Sequence, residues 1–192
     1  MPHDRGCGAP PRPGPSRMPD LLIRPATAAD VERLCALATH TFRETYRGIS
    51  DPDEIEDYVR TAFAPDAVGA WLRERVSSTL LAFLGARPVG YALVRRGAAP
   101  ACVEGPEPAE LARLYLDASA HGRGHGAAMM AACLAAARAL GAQTIWLSAY
   151  DRNRRALEFY AAWEFVVVGT RPFEFGGRLY ADPVLQRAVP AP

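Results

Sequence analysis

The segment from His121 to Gly126 reads His-Gly-Arg-Gly-His-Gly and lies between a predicted strand and a predicted helix. Glycine permits backbone conformations that other residues avoid and lets a ligand approach the main chain closely. The predicted helix has Ala127 in its first turn, where free N–H groups and the positive end of the helix dipole favour an anion. Gly122, Arg123, Gly124 and His125 are therefore candidate phosphate-binding residues along with their neighbours. The alternative is a tight strand-to-helix turn without a ligand.

The same turn also fits the dinucleotide fingerprint Gly-x-Gly-x-x-Ala, with Gly122, Gly124 and Ala127 at the three fixed positions. Asp151, about 25 residues further on, would then contact a ribose. That fingerprint normally opens a long series of alternating strands and helices, but only one helix and two strands are predicted after Asp151. A nicotinamide-dependent oxidoreductase is therefore the less favoured interpretation of this turn.

Hydrophobic periodicity and capping signals predict the elements that must position the turn. The first half of the chain is predicted to contain a strand at Leu21–Arg24, a helix that starts near Thr27-x-x-Asp30, a helix opened by Asp51-Pro52, a helix at Val68–Val76, and hairpin strands at Thr79–Leu84 and Val89–Arg95. After a loop at 97–109, the second half is predicted to contain strands at Leu111–Leu116, Thr144–Ala149, Phe165–Phe175 and Leu179–Arg187, the last interrupted by Pro183, and helices at Gly124–Leu140 and Arg154–Trp163. This order predicts an α/β fold with a mixed sheet and helices on both faces.

The chain has 192 residues, enough for one domain at roughly 150 residues per domain. Residues 1–19 are rich in proline and glycine and lack an apolar period, so they are predicted to be disordered, and the domain is predicted to cover 20–189. A net charge of +1 argues against a surface that neutralises many phosphates, so a nucleic-acid partner is not expected.

All 22 basic residues are arginine, which excludes a lysine nucleophile or Schiff base. The four cysteines lie far apart in the sequence and form no zinc-ligand pair, so no metal is expected. No apolar run has the about 20 residues that span a bilayer, and residues 1–19 lack the apolar core of a signal peptide. We therefore expect a cytoplasmic protein without a membrane partner.

The stretch from Glu110 to Phe165 resembles the GNAT superfamily of acyl-CoA-dependent N-acyltransferases. The pyrophosphate motif of that family, Gln or Arg then x-x-Gly-x-Gly or Ala, corresponds to His121, Gly124 and Gly126. A second motif, Asn-x-x-Ala-x-x-Phe-Tyr followed by Gly-Phe, corresponds to Asn153, Ala156, Phe159, Tyr160 and Phe165. Two positions depart from the family pattern: His121 replaces Gln or Arg, and Trp163-Glu164 stands where Leu-Gly is common.

The resemblance implies a single domain with about seven strands in a mixed, splayed sheet that binds acetyl-CoA. Pantetheine would pair with the fourth strand along Leu114, Tyr115 and Leu116. Tyr160 matches the general acid of the family, because a phenol with a reference pKa near 10 stays neutral at pH 7 and can protonate a thiolate. Asn153 either caps its helix or contacts the pantetheine.

The resemblance also assigns the proton acceptor and suggests an acceptor substrate. Glu110, which opens the fourth predicted strand, is the expected base, acting through water; the alternative is a solvated charge. Arg113 is expected to pair with a carboxylate. Phe42-Arg43-Glu44-Thr45-Tyr46 and the acidic stretch Asp51–Glu54 resemble the branch that includes bacterial spermine/spermidine acetyltransferases.

The sequence thus predicts an N-acetyltransferase that acts by direct transfer on a primary amine of a small molecule, such as a polyamine. A second hypothesis is a regulatory module that binds acyl-CoA without turnover, and the oxidoreductase is a third. Homodimers are usual in the family, so a homodimer is possible here.

Overall fold

The computed structural model describes residues 20–48, 50–175 and 178–190, so the prediction for residues 1–19 lies outside the described residues. Its strands are β1 (Leu21–Pro25), β2 (Ser77–Leu84), β3 (Arg87–Arg96), β4 (Pro108–Leu116), β5 (Thr144–Ser148), β6 (Val166–Phe175) and β7 (Arg178–Ala188). Its helices are α1 (Val31–Tyr46), α2 (Pro52–Ala62), α3 (Pro65–Arg73), α4 (His125–Ala139) and α5 (Arg154–Ala162). The predicted α/β fold with a mixed seven-stranded sheet is confirmed.

The sheet has the order β1-β2-β3-β4-β5-β7-β6, and its only parallel pair within the described ranges is β4 with β5. That pair extends only from Pro108 to Glu110 on β4, opposite Thr144 to Trp146 on β5. Beyond Glu110, β4 continues beside β3 and β5 continues beside β7. The two halves of the sheet therefore separate, and one side of β4 is left without a neighbouring strand from 111 onward.

A β-bulge lies at the point of separation. Val94 on β3 pairs with Leu111 and Leu93 pairs with Arg113, so Ala112 is an extra residue in β4. A bulge bends its strand and increases the local twist. Here it turns the second half of β4 away from β5.

Two apolar layers cover the sheet and place helices on both faces, as predicted. On one face, α4 packs through buried Met129, Met130 and Cys133, with Leu157 and Phe159 of α5 beside them. On the other face, α1, α2 and α3 enclose a second core rich in aromatic side chains, to which Phe42 and Phe63 belong.

Three sequence predictions need correction. The fourth strand begins at Pro108, not at Leu111, so Glu110 is its third residue and lies inside the parallel pair. The third helix spans Pro65–Arg73, because Pro65 supplies a favourable first residue. β7 continues through Pro183, since β5 ends opposite Val184 and proline is tolerated where a strand has a neighbour on one side only.

The end of α5 contains a strained residue. Glu164 has φ +63°, and the Glu164 and Phe165 amides donate to the carbonyls of Ala161 and Tyr160, at 2.9 and 3.1 Å. This is the Schellman pattern, which normally has glycine at the left-handed position. The chain folds as it would with glycine there, at the cost of a side chain in the left-handed region.

We predict that Glu164→Gly raises the free energy of unfolding by about 1 kcal/mol, because it removes the left-handed penalty of about 1–2 kcal/mol and adds back some unfolded-chain entropy. Urea denaturation measures the change. Glu164→Ala is the matched control: it also removes the carboxylate that faces Arg187 at 3.3 Å but keeps a Cβ. Equal stability of the two variants would contradict backbone strain as the cause.

Candidate active site

A cleft of about 920 Å³ opens where β4 and β5 separate. One wall is β4 from Glu110 to Leu116, and the opposite wall comprises Ser148 to Tyr150 together with the start of α5. The glycine turn and aromatic side chains of α1, α2 and α3 complete the lining. The cleft therefore brings together the three regions that the sequence singled out.

The glycine turn has the geometry of an anion site. Gly122 and Gly124 have φ of +74° and +79°, and no atom lies within 4 Å of where a Cβ would stand at either position. Gly124 is the N-cap of α4 without a side-chain cap, and the first bond within the helix joins the Ala128 amide to the Gly124 carbonyl at 3.1 Å. The amides before Ala128 are therefore outside the helical bonding pattern and available to a ligand.

The two histidines of the turn bind the protein's own carbonyl groups. His121 Nε2 lies 3.0 Å from the Leu116 carbonyl oxygen, and Arg155 donates to His121 Nδ1 at 2.9 Å. His125 Nδ1 lies 3.1 Å from the Ala120 carbonyl oxygen. His121 lines the cleft, whereas Arg123 and His125 are not part of its lining. These rings hold the turn in shape and leave the anion to the backbone amides.

The predicted pantetheine segment lies along the free side of β4. Leu114, Tyr115 and Leu116 pair with Ala92, Tyr91 and Gly90 of β3 and have no partner on β5. All three line the cleft. An amide-containing chain can therefore pair with this side of β4 as an added strand.

The second predicted motif is assembled at the start of α5. Asn153 Oδ1 accepts a hydrogen bond from the Ala156 amide at 3.2 Å, so Asn153 caps the helix. Ala156, Phe159 and Tyr160 also line the cleft. Gly126 of the turn faces this helix, and a Cβ there would lie 3.4 Å from the Phe159 ring. Glycine at 126 therefore lets α5 pack closely against the turn.

Tyr160 is a half-buried side chain of the cleft wall. Burial, with smaller contributions from the Tyr115 phenol and Cys133, raises the pKa of Tyr160 above its usual range. The phenol is therefore protonated at neutral pH, where its O–H can donate a hydrogen bond to a thiolate and supply it with a proton as the thiolate leaves.

Glu110 lies in the cleft but is ion-paired on both sides. Arg95 donates to Glu110 Oε2 at 2.7 Å, and Arg171 donates to Oε1 at 3.4 Å. Both oxygens of the carboxylate are therefore already engaged by guanidinium groups. The role of Glu110 as base stays a prediction. Its two arginine partners compete with an incoming amine for the carboxylate oxygens.

A carboxylate that sequence reasoning missed lies in the same cleft. Asp182 of β7 is 6% exposed, and its Oδ1 is buried with no hydrogen-bond partner among the described residues. Burial, assisted by the nearby charge of Asp151, raises the pKa of Asp182 to about 6, against an opposing effect of Arg171. A carboxylate with this pKa is ionised at neutral pH and can accept a proton there.

Arg113 does not have the carboxylate partner that the sequence led us to expect, within the described ranges. It donates to the Tyr58 hydroxyl at 3.2 Å. Its guanidinium carbon lies 5.0 Å from the ring centroids of both Phe63 and Trp71. The expectation was wrong because α2 and α3 bring aromatic rings, rather than an acidic side chain, to this position.

A small polar cluster bears on the expectation that no metal binds. Ligand atoms of His40, Glu44 and Asp117 lie within 4.8 Å of one another. Arg87 donates to Asp117 Oδ2 at 2.9 Å, the same oxygen that lies 3.1 Å from His40 Nε2. A guanidinium already occupies the oxygen that a cation would need, so these residues do not fit a metal.

The family is shown by the sequence match. Residues 32–165 match the family model described as the acetyltransferase (GNAT) family, which is more than half of the chain. The chain belongs to the GNAT family. The predicted enzyme class, an N-acetyltransferase, is thereby confirmed.

Relatives of this GNAT protein align with most of its length. Uncharacterized N-acetyltransferases of Mycobacterium tuberculosis and Mycobacterium bovis are 33% identical over 160 residues, covering 83% of this chain and 98% of the relative. Among solved structures, the PaiA N-acetyltransferase of Thermoplasma acidophilum in complex with coenzyme A is 20% identical with a TM-score of 0.69, over 88% of this chain and 99% of that one. YncA of Salmonella typhimurium, a putative acetyltransferase with acetyl-CoA, is 16% identical with a TM-score of 0.68, over 90% and 95%.

These findings bear on the alternatives. A mostly antiparallel sheet is not the parallel sheet that a dinucleotide fingerprint requires, so the oxidoreductase hypothesis is not favoured. None of the helices in the described part of this GNAT chain is both long and apolar enough to cross a bilayer. The compartment and the homodimer stay predictions.

We predict that Gly124→Ala raises the Kd for CoA about tenfold. Alanine at φ +79° costs about 1–2 kcal/mol, and binding must restore the strained turn to aim its amides. Isothermal calorimetry measures the affinity. Gly141→Ala is the matched control, because Gly141 has φ +77° at the other end of α4. Unchanged affinity in Gly124→Ala, or equal weakening in both variants, would remove the turn from the phosphate site.

Proposed function

We propose that this GNAT protein transfers an acetyl group from acetyl-CoA directly to a primary amine of a small molecule. One observation carries the proposal: the free side of β4, the amide-rich glycine turn and the Tyr160 phenol line one continuous cleft. Backbone amides can bind a diphosphate, a free strand side can pair with pantetheine, and a neutral phenol can protonate a thiolate. Each step of acetyl transfer therefore has a group in reach of the same space.

The CoA substrate is proposed to lie with its diphosphate at the start of α4 and its pantetheine along Leu116 to Leu114. The PaiA and YncA structures, which contain CoA and acetyl-CoA, support this as neighbours of the same fold. In this direction the thioester comes beside Leu114, next to the bulge at Ala112. The bulge frees backbone groups there, and an N–H at that place can stabilise the oxyanion.

The chemistry is a single transfer without a covalent enzyme intermediate. The amine lone pair attacks the thioester carbonyl carbon, a C–N bond forms, and the C–S bond breaks. Tyr160 supplies the proton that the departing thiolate takes up. The acceptor amine must lose a proton for attack, so the cleft also needs a base.

We propose Asp182 as that base in preference to Glu110. Asp182 Oδ1 is without a hydrogen-bond partner among the described residues, and the pKa of the carboxyl, about 6, suits proton transfer near neutral pH. Both oxygens of Glu110 are instead engaged by Arg95 and Arg171. Glu110 would then position these arginines.

The proposal of a polyamine acceptor loses part of its support. The acidic stretch from Asp51 to Glu54 lies at the start of α2, where Asp51 caps the helix by accepting from the Asp53 amide at 2.9 Å, and it is not part of the cleft lining. A small amine in general remains the proposed acceptor. A module that binds acyl-CoA without turnover is the second candidate, and the next experiment separates the two.

We predict that Tyr160→Phe lowers kcat for thiol release from acetyl-CoA by about 10²- to 10⁴-fold, the range for loss of a positioned general acid. The assay follows free thiol with a panel of amines. Tyr180→Phe, a phenol that does not line the cleft, is the control. An unchanged kcat would remove Tyr160 from the mechanism, whereas CoA binding without thiol release by the unaltered protein would favour the binding module.

We predict that Asp182→Asn lowers kcat/KM by about 10²- to 10⁴-fold and abolishes a fall in kcat/KM below about pH 6. The sign follows from the base being active when ionised, above its pKa. Asp151→Asn is the control: removal of the Asp151 charge, which raises the pKa of Asp182, is expected to move the fall in kcat/KM to lower pH. If Glu110→Gln abolished the fall in kcat/KM at low pH and Asp182→Asn retained it, the base would be Glu110.

A further inference from the structure

Arg113 is a cation in the cleft wall with few hydrogen-bond partners. It donates one hydrogen bond, to the Tyr58 hydroxyl, and its guanidinium lies against the rings of Tyr58, Phe63 and Trp71. Guanidinium has five N–H donors, and attraction to an aromatic face consumes none of them. No carboxylate of the described residues forms an ion pair with it, so the geometry leaves Arg113 able to bind an anion from the cleft.

The other charged side chains of the cleft do not supply a carboxylate partner for Arg113. Arg95 and Arg171 also line the cleft, and both pair with one carboxylate, Glu110. Asp182 also lines the cleft, and it interacts with Arg171 across the β6–β7 pair. Among the described residues, five guanidinium groups and three carboxylates line the cleft, which favours an anionic group over a polycation; they are Arg47, Arg95, Arg113, Arg155 and Arg171, and Glu44, Glu110 and Asp182.

The position of Arg113 points to the acceptor rather than to CoA. Arg113 directly precedes Leu114, beside which the thioester is proposed to lie. Its side chain lies among rings of the α2 and α3 side of the sheet, whereas the glycine turn leads into α4 on the opposite face. An anion held by Arg113 would therefore belong to a molecule that reaches the thioester from the aromatic side.

We infer that Arg113 binds a carboxylate of the acceptor, so that the substrate is a small amino acid or a similar amine with a carboxylate. This inference rests on the proposed acetyl transfer. A carboxylate matches the planar fork of guanidinium with two parallel hydrogen bonds. The aromatic rings around Arg113 fix the fork and exclude water from the pair.

The test compares acceptors that have either a carboxylate or an uncharged carboxamide beside the amine. Thiol release from acetyl-CoA is measured with L-amino acids and with their primary carboxamides, which have nearly the same shape. The unaltered protein is expected to have the higher kcat/KM for the acids. Arg113→Met, which keeps an apolar stem among the rings, is expected to lower kcat/KM for the acids about 10- to 100-fold, mainly through KM, and to leave the carboxamides nearly unchanged.

Two controls separate binding from folding. Arg33→Met removes a guanidinium that lies 5.9 Å from the Phe83 ring centroid, outside the cleft, and is expected to change neither acceptor class. Arg113→Lys keeps the charge without the fork and is used if Arg113→Met does not fold; it is expected to lose activity with the acids selectively. CoA affinity, measured by calorimetry, is expected to stay unchanged in each variant.

The outcomes distinguish this inference from the proposed function. Thiol release with carboxamides or diamines as efficient as with the acids, or an equal loss for both classes in Arg113→Met, overturns the carboxylate site and leaves acetyl transfer standing. If no amine releases thiol, N-acetyl-L-amino acids are titrated into the CoA complex: thermal stabilisation that depends on Arg113 supports the site, and its absence overturns it. Failure to bind CoA overturns both proposals.

Discussion

Every functional part of this molecule depends on the place where β4 and β5 stop pairing. Three residues of each strand hold the two halves of the sheet together, and the bulge at Ala112 then turns β4 away. A sheet that stayed paired would have no cleft and no free strand side. Because the parallel pair is anchored by buried Ala109 and Ile145, the opening is a fixed feature of the fold.

The cleft is charged although it is built from a sheet. At the last pair before the strands separate, Glu110 forms ion pairs with Arg95, its cross-strand neighbour on β3, and with Arg171 of β6. Asp182 is buried at the end of this network with one oxygen unpartnered. The cleft thus contains carboxylates of low exposure, Glu110 and Asp182, beside partly exposed guanidinium groups of Arg95 and Arg171.

Structural features that depend on short stretches of sequence were predicted correctly. The glycine turn, the capped start of α5 at Asn153 and the seven-stranded mixed sheet all follow from spacing and propensity over short stretches. Tyr160 was found through a motif, and the cleft lining agrees with its place. The position of Glu110 within its strand was missed because the strand begins in a segment rich in proline and glycine.

What could not be predicted depends on contacts between distant segments. The aromatic rings around Arg113 come from the α2–α3 region, more than 40 residues earlier in the chain, and no spacing on β4 indicates them. Asp182 lies beyond residue 165, where the family match ends, and its Asp-Pro sequence suggested an interrupted strand. Its proposed role as a base rests on burial, which only the assembled sheet supplies.

The ring of His121 lies between the Leu116 carbonyl and Arg155, and so joins three segments. One is the end of β4, one is the glycine turn, and the third is α5, which carries the phenol. One imidazole and its two hydrogen bonds connect all three. If acetyl-CoA binds as proposed, seating of its diphosphate in the turn and alignment of the phenol would therefore be mechanically coupled through this ring.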